Sequence, residues 1–357
     1  MRTTHRMIAG DARALSLAPG SVHLVVTSPP YPMIAMWDET FGTDPGLLEA
    51  DPAAAFEAQH RVLDDVWRAC WDALAPGGWM CVNIGDATRT LGGEFRLWPN
   101  HARILQACAR IGFSILPDIL WRKPTNAPNK FMGSGMLPAG AYVTFEHEYV
   151  LVMRKGPGRG FTNAEKAVRR ESAFFWEERN QWFSDVWTDL LGTNQRMSRQ
   201  TSLFGGHVPG RERSAAFPLD LPWRLVLMYS VYGDVVLDPF AGTGTTLLAA
   251  ACAGRSSIGV ECDPALATDA RDAVLAAPDV GRARQAARLA AHRRFVEARA
   301  ADGKPLGHHN GPHDVPVMTG QEAELVLRVP ARVERVGDTC VSEHVTLGGS
   351  AGSSDSS

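Results

Sequence analysis

"VVLDPFAGTGTT" (residues 235–246) is the stretch whose reading decides the fold. An apolar run from Val235 to Leu237 meets Asp238, Pro239 and Phe240, then a turn holding Gly242 and Gly244, then a helical pattern beginning near Thr245. The run reads as a strand buried on both faces. The glycines let the backbone turn tightly and come close to a ligand. A strand, a glycine-rich turn and a helix in that order mark the carboxyl end of a strand in a doubly wound α/β sheet, where ligands bind.

The next apolar run, "SSIGVE" (256–261), ends seventeen residues past Gly244 in Glu261, an acid placed to accept hydrogen bonds from ribose hydroxyls. The turn has no lysine and so is no phosphate-binding P-loop, and Leu247 stands where a pyrophosphate fingerprint needs a small residue. A nucleoside cofactor without a pyrophosphate is left, and S-adenosylmethionine fits that description. The plainer reading is a glycine-rich turn with no ligand.

Working outward, strands are predicted at 5–11, 21–27 and 79–86, with a helix over 53–75 that Pro76-Gly77-Gly78 stops and another over 100–112 closed by Gly112. Segments 113–123 and 146–155 read as paired strands around a Pro/Gly-rich loop. The alternation breaks over 156–213 and resumes with helix 222–232, strand 234–240, helix 244–253, strand 256–261 and helices 264–277 and 280–301. Those last helices could form a dimer interface or pack on the sheet. A strand is expected at 323–329 and a disordered Gly/Ser tail at 348–357. The fold class is therefore α/β, a doubly wound, mostly parallel sheet with a loop-rich insert. Its expected parts are 1–155, 156–213, 214–302 and an extension, 303–357.

Composition narrows the class. At 357 residues with 45% hydrophobic and 21% charged side chains, the chain is an ordinary globular one. No run approaches a membrane span, and "MRTTHRMIAGDAR" lacks the apolar core of a secretory signal. Six scattered cysteines without a C-x-x-C pair predict a reduced, cytoplasmic protein and no metal site. Residues 121–213 carry 14 Lys+Arg against 9 Asp+Glu, a local +5, so a chain of net −3 leaves −8 elsewhere. One basic face on an acidic body fits that asymmetry.

A second loop bears on chemistry. In "VVTSPPY" (25–31) a buried strand stops at Ser28, two prolines and Tyr31. Pro29 and Pro30 lack donors and fix φ, so they stiffen the loop that follows. Such a loop either turns a corner or holds something flat.

The two loops together, with "LAPGGWMCVNIGD" (74–86), "WRKPTNAP" (121–128), "EHEYVLVMRK" (146–155), "DVW" (185–187) and "AAFPLDLP" (215–222) between them, resemble the β-class amino-methyltransferases of DNA. In that family the catalytic S/D-P-P-Y loop comes early and the cofactor F-x-G-x-G loop late, as here. The resemblance covers about 5–300. It implies that Asp238, Pro239, Phe240, Gly242, Gly244 and Thr245 surround the methionine end of S-adenosylmethionine, with Phe217 and Pro218 closing that side. Glu261 would hold the ribose and Asp11 would reach the adenine. Plainer roles exist for three of these: Asp11 as a helix cap, Phe217 as core, Asp238 as a turn acid.

The chemistry implied is direct methyl transfer to an exocyclic amine. The amine's lone pair is delocalised into its ring, and two acceptors on its N–H bonds would turn that lone pair toward the methyl group. The Ser28 hydroxyl and the Pro29 carbonyl would be those acceptors. Tyr31 would stack on a base flipped out of double-stranded DNA. Serine at the first loop position leans toward cytosine N4 in this family, aspartate toward adenine N6. Carbon-5 methylation needs a thiolate, commonly in a Pro-Cys pair, and no cysteine here follows a proline.

The family places its target-recognition region where 156–213 stands. Arg159, Lys166, Arg169, Arg170, Arg196, Arg199, Arg211 and Arg213 are the candidate DNA contacts, each with a solvated surface as its plainer reading. A cognate restriction endonuclease and a homodimer are expected partners. The rival of another class is a non-catalytic nucleic-acid-binding protein that kept the fold.

Overall fold

The computed structural model of the chain describes residues 1–123, 132–133, 136–190 and 217–348. Along it, β1 (Arg2–Ala9) and β2 (Val22–Thr27) lead to α1 (Pro45–Ala50) and α2 (Pro52–Ala73). There follow β3 (Leu74–Ile84), β4 (Ala87–Leu91), β5 (Glu94–Trp98), α3 (Asn100–Ile111), β6 (Ser114–Ile115) and β7 (Ile119–Arg122). Next come β8 (Met132–Gly133), β9 (Ala141–Tyr142), β10 (His147–Arg154), α4 (Asn163–Glu171), α5 (Trp176–Trp182) and β11 (Val186–Trp187). The second half holds α6 (Asp220–Tyr229), β12 (Val235–Asp238), α7 (Thr245–Cys252), β13 (Ser256–Glu261), α8 (Pro264–Ala273) and α9 (Ala277–Ala301). The chain closes with β14 (His308–Asn310), β15 (Val315–Val317), β16 (Arg328–Val336) and β17 (Thr339–Thr346).

One large sheet runs in the order β11-β7-β10-β3-β2-β12-β13-β1-β17-β16, with β6 beside β10. From β3 to β1 the strands are parallel; β10 and β17 join them antiparallel on either side. The chain leaves β2 toward β3 and leaves β12 toward β13, in opposite directions along the sheet. The crevice between the ends of β2 and β12 is therefore the switch point at which α/β sheets bind ligands. Val22, Leu24, Val25 and Val26 are buried on both faces, as their unbroken apolar run requires. On one face α2 lays down Phe56, His60, Leu63, Trp67 and Cys70 at helical spacing, and α3 packs beside it. On the other, α6 and α7 bury Leu225, Val226, Ala250 and Ala251.

Several predicted boundaries move. The helix expected to run to 75 stops at Ala73, and Pro76-Gly77-Gly78 belongs to the irregular start of β3. Gly77 sits at φ +78° with its N–H on the Lys155 carbonyl, and a Cβ there would lie 2.6 Å from the Arg159 backbone nitrogen. The strand expected at 323–329 falls instead at β16, paired with β17 around Gly337 (φ +61°), and β17 extends the sheet beyond β1. Arg332, Glu334 and Arg335 on β16 make a charged edge strand and mask its apolar rhythm. The β1–β17 seam carries a buried polar ladder, in which His5 meets Ser257 (2.8 Å) and Ser342 (3.0 Å), and Thr3 meets His344 (2.9 Å). Burial holds both imidazoles neutral, pushing His5 down to about 3 and His344 to about 4.

The terminal helices pack on the sheet. α8 lies against β1 and α9 against β16, where a Cβ at Gly281 would be 2.8 Å from the Pro330 ring. The segment expected to be a separate insert is, as far as Leu190, part of the body. Trp182 and Trp187 are in the main core, and Arg288 of α9 clasps Glu178 of α5 at 2.6 and 2.7 Å. Among the described residues no helix is long and apolar enough to cross a membrane, and no cluster of side chains could hold a metal ion. The tail predicted at 348–357 lies, after Gly348, outside the described residues.

Candidate active site

The two loops of the sequence reading meet at the switch point. Thr27, the last residue of β2, donates its hydroxyl to Asp238 Oδ1 at 2.6 Å, and the Phe240 N–H reaches the same oxygen at 3.0 Å. Asp238 is buried, and burial pushes its carboxyl up to about 6 against the opposing pull of those hydrogen bonds. Asp238 ties the serine loop to the glycine loop.

Past Thr27 the chain turns through Ser28, half-buried, and the two prolines to Tyr31. The Tyr31 ring passes over Gly85, where a Cβ would lie 3.1 Å from the ring. Its hydroxyl donates to Glu148 Oε2 at 3.1 Å, accepts from Asn83 Nδ2 at 2.9 Å, and stands 3.1 Å from Ser28 Oγ. Asn83 also donates to Glu148 Oε2 at 2.7 Å, and Lys123 Nζ reaches Glu148 Oε1 at 2.6 Å. Burial, then the Glu148 carboxylate, raises the Tyr31 phenol well above its ordinary range, so it stays neutral. Asn83, Lys123 and Glu148 are the residues that sequence reasoning missed. The signal was there: Asn83 is a polar side chain inside an apolar strand run, and Glu148 opens another.

On the cofactor side, Gly242 (φ +51°) faces open space where a side chain would stand. Gly244 (φ +81°) stands at the cap just before α7, and a Cβ there would strike the Ala270 carbonyl oxygen at 2.5 Å. Glu261 ends β13 with Oε2 accepting from Gly242 N–H and Oε1 from Asp263 N–H, each at 3.0 Å. Oε1 is also reached by Cys262 Sγ at 3.4 Å, so it is Oε2 that keeps room for a second donor. Pro239 is buried and Phe240 half-buried with its ring edge-on to Trp67, while Thr245 opens α7. Asp11 follows β1 and takes the plainer role. It caps the turn Ala12–Ala14 by accepting from Arg13 N–H at 2.8 Å, and its carboxylate pairs with the Arg13 guanidinium at 2.5 Å. Phe217 packs against the main core, and Pro218 is buried ahead of α6.

The candidate DNA contacts divide. Arg196, Arg199, Arg211 and Arg213 lie outside the described residues. The others sit at the end of the sheet opposite the two loops. Arg159 holds Asp234 through two contacts of 2.8 Å, and Asp234 stands just ahead of β12, beside His23 at the start of β2. Arg169 covers the Phe161 ring, Arg170 pairs with Glu324, and Lys166 reaches Asn163. Residues 156–171 cover the amino ends of the strands whose carboxyl ends carry the two loops. Beside the loops stand other pieces, the β4–β5 hairpin and β9. Phe95 and Tyr142 join them ring to ring at 4.8 Å, and Arg89 and Arg96 lie on the hairpin.

Comparison with known proteins agrees with this geometry. The family model described as DNA methylase (N6_N4_Mtase) matches residues 22–272, more than half of the chain. The type II methyltransferase M.MthZI of Methanothermobacter thermautotrophicus is 51% identical over 271 residues, 74% of each chain. M.MjaI of Methanocaldococcus jannaschii is 45% identical over 281 residues, 74% of this chain and 89% of its own. Among solved structures, a protein of Thermus thermophilus described as a putative DNA modification methylase, complexed with S-adenosyl-L-methionine, is 38% identical. Its alignment covers 76% of this chain and 96% of that one, with a TM-score of 0.58. The cytosine-N4-specific PvuII DNA methyltransferase, 20% identical with a TM-score of 0.50 over 76% of this chain and 88% of its own, shares the fold.

Proposed function

The chain belongs to the N6/N4 DNA methylase family, and on that premise we propose that it methylates the N4 amine of cytosine in double-stranded DNA with S-adenosylmethionine as cofactor. The carrying observation is Ser28: a neutral hydroxyl at the head of a proline-stiffened loop, tied through Thr27 and Asp238 to the glycine loop. The opening at Gly242 and the spare acceptor capacity of Glu261 suit a nucleoside whose hydroxyls donate and which brings no phosphate.

S-adenosylmethionine, when bound, supplies an electrophilic methyl group. Gly242, Gly244 and Thr245 would border it, Phe240 would cover it and Glu261 would take its ribose. Asp238 serves by fixing the distance between the loops. Ser28 Oγ and the Pro29 carbonyl would accept the two amine hydrogens and bring the nitrogen toward tetrahedral geometry. No strong base is needed beforehand, because the amine becomes acidic once methylated. The target base would be flipped from the duplex, with stacking worth about 1–3 kcal/mol per base offsetting the cost of unpairing. The β4–β5 hairpin and β9 would meet the DNA. The type II names of its relatives support a restriction–modification setting with a separate nuclease.

The test is mass spectrometry of nucleosides from DNA incubated with the protein and S-adenosylmethionine. N4-methylcytosine is the expected product. N6-methyladenine would keep the mechanism and overturn the choice of base. Absence of both on varied duplex DNA would overturn the proposal.

A further inference from the structure

We propose that Glu148 is a positioning residue that acts through Tyr31 to turn the Ser28 hydroxyl into a pure hydrogen-bond acceptor facing the target amine. The inference rests on the reading of Ser28 given above and adds the residue that sets its orientation.

The argument is one of donors and acceptors. Tyr31 has one hydroxyl proton and Glu148 Oε2 stands 3.1 Å from it. A carboxylate oxygen accepts and does not donate, so that proton is spent on Glu148. Asn83 donates to both Tyr31 Oη and Glu148 Oε2. Its amide cannot be turned over, since Oδ1 would then face the carboxylate oxygen at 2.7 Å. With its own proton committed, Tyr31 can only accept from Ser28 across their 3.1 Å contact. Ser28 therefore gives its proton to Tyr31 and keeps both lone pairs for an outside donor. Had Tyr31 donated to Ser28 instead, one of those lone pairs would be taken and the serine proton would point at the amine, which also donates.

Two further observations fit. Lys123 closes the far end of the chain on Glu148 Oε1, which leaves Oε2 to Tyr31 and Asn83. Asn83 is 2% exposed and its Oδ1 has no partner. A buried acceptor without a donor is costly unless something supplies one. The groups left over in the cluster, Ser28 Oγ and Asn83 Oδ1, are thus acceptors, as recognition of an –NH2 group requires.

The experiment separates orientation from charge. Glu148→Met removes the acceptor, whereas Glu148→Gln can place its carbonyl oxygen where Oε2 stood once the partly exposed Lys123 swings away from the amide NH2. In single-turnover transfer of labelled methyl to duplex DNA, E148M is expected to slow the step about 10- to 100-fold. E148Q is expected to recover to within about threefold of wild type, on the same ground that an acceptor is kept. Calorimetric affinity for S-adenosylmethionine is expected to be the same in all three. Should E148M not fold, Tyr31→Phe alone is expected to slow transfer about tenfold, with E148Q adding nothing to it. E148Q as slow as E148M, a wild-type rate in E148M or Y31F, or multiplying losses in Y31F/E148Q would each overturn the inference. Failure of the wild-type protein to label DNA would overturn the reading of Ser28 itself.

Discussion

At the carboxyl ends of the parallel strands, polar groups keep hydrogen-bonding capacity in reserve. Ser28 is half-buried with Tyr31 as its side-chain partner, Asn83 Oδ1 lacks a donor, and Glu261 Oε2 holds one N–H where two would fit. At the amino ends of the same strands the charges are closed on one another. Arg159 takes Asp234 twice, Asp234 also accepts from Val231 N–H, and Arg255 is sealed against the Ser230 and Ala253 carbonyls. Both ends are rich in polar residues, and composition cannot tell them apart. What distinguishes a site from a clasp is unspent valence, and that is a property of partners.

The sharpest break between the two ends is Ser28→Ala. Removing a preorganised group that acts on the reacting centre costs about 100-fold or more. The single-turnover rate should fall by that factor while cofactor affinity and thermal stability stay put. Equal loss of rate and cofactor affinity would mean that the loop holds the cofactor and does not hold the amine.

Arg159→Ala is the reciprocal experiment. It leaves the Asp234 carboxylate buried with its chief partner gone, a loss of about 3–5 kcal/mol for a fully buried pair and somewhat less here, where Arg159 is partly exposed. Chemical unfolding should show a lowered midpoint. The salt dependence of DNA binding should keep its slope, and a flatter slope would restore Arg159 to the DNA face.

Much of this was legible in the chain. The apolar runs at 22–27 and 235–238, the two loops and Glu261 could be read because each declares itself within a few residues. The clasp could not, since Arg159 and Asp234 are 75 positions apart and the sequence alone makes Arg159 a candidate DNA contact. Glu148 was hidden for the same reason: its meaning comes from Tyr31, 117 positions away. Asp11 shows the converse. Its partner, Arg13, is two residues on, and the capping role could be written down beforehand.

Glu261→Gln sharpens the cofactor half of the comparison. Both carboxylate oxygens accept a backbone N–H, so an amide would turn its NH2 group against either Gly242 or Asp263. Loss of a charge-assisted bond is worth about 1.5–3 kcal/mol, so affinity for S-adenosylmethionine should weaken at least about tenfold by calorimetry. The unliganded turn would be disturbed as well, and amide exchange at Gly242 should quicken. An unaltered titration would remove Glu261 from the cofactor.

The smallest effect asks which end meets DNA. Arg96 lies on the β4–β5 hairpin near the serine loop, paired with Glu94 and resting over Trp98. Arg170 lies on α4, at the closed end, paired with Glu324. Both are exposed arginines with an acidic partner, so sequence and exposure treat them alike. A phosphate contact at Arg96 would release one counterion, and Arg96→Ala should lower the slope of log affinity against log salt by about 0.9. Arg170→Ala should leave the slope where it was. An exposed ion pair holds its arginine weakly, so neither local partner decides the result. Only position relative to the two loops separates these residues, and a reversed pair of slopes would put the DNA at the amino ends of the strands.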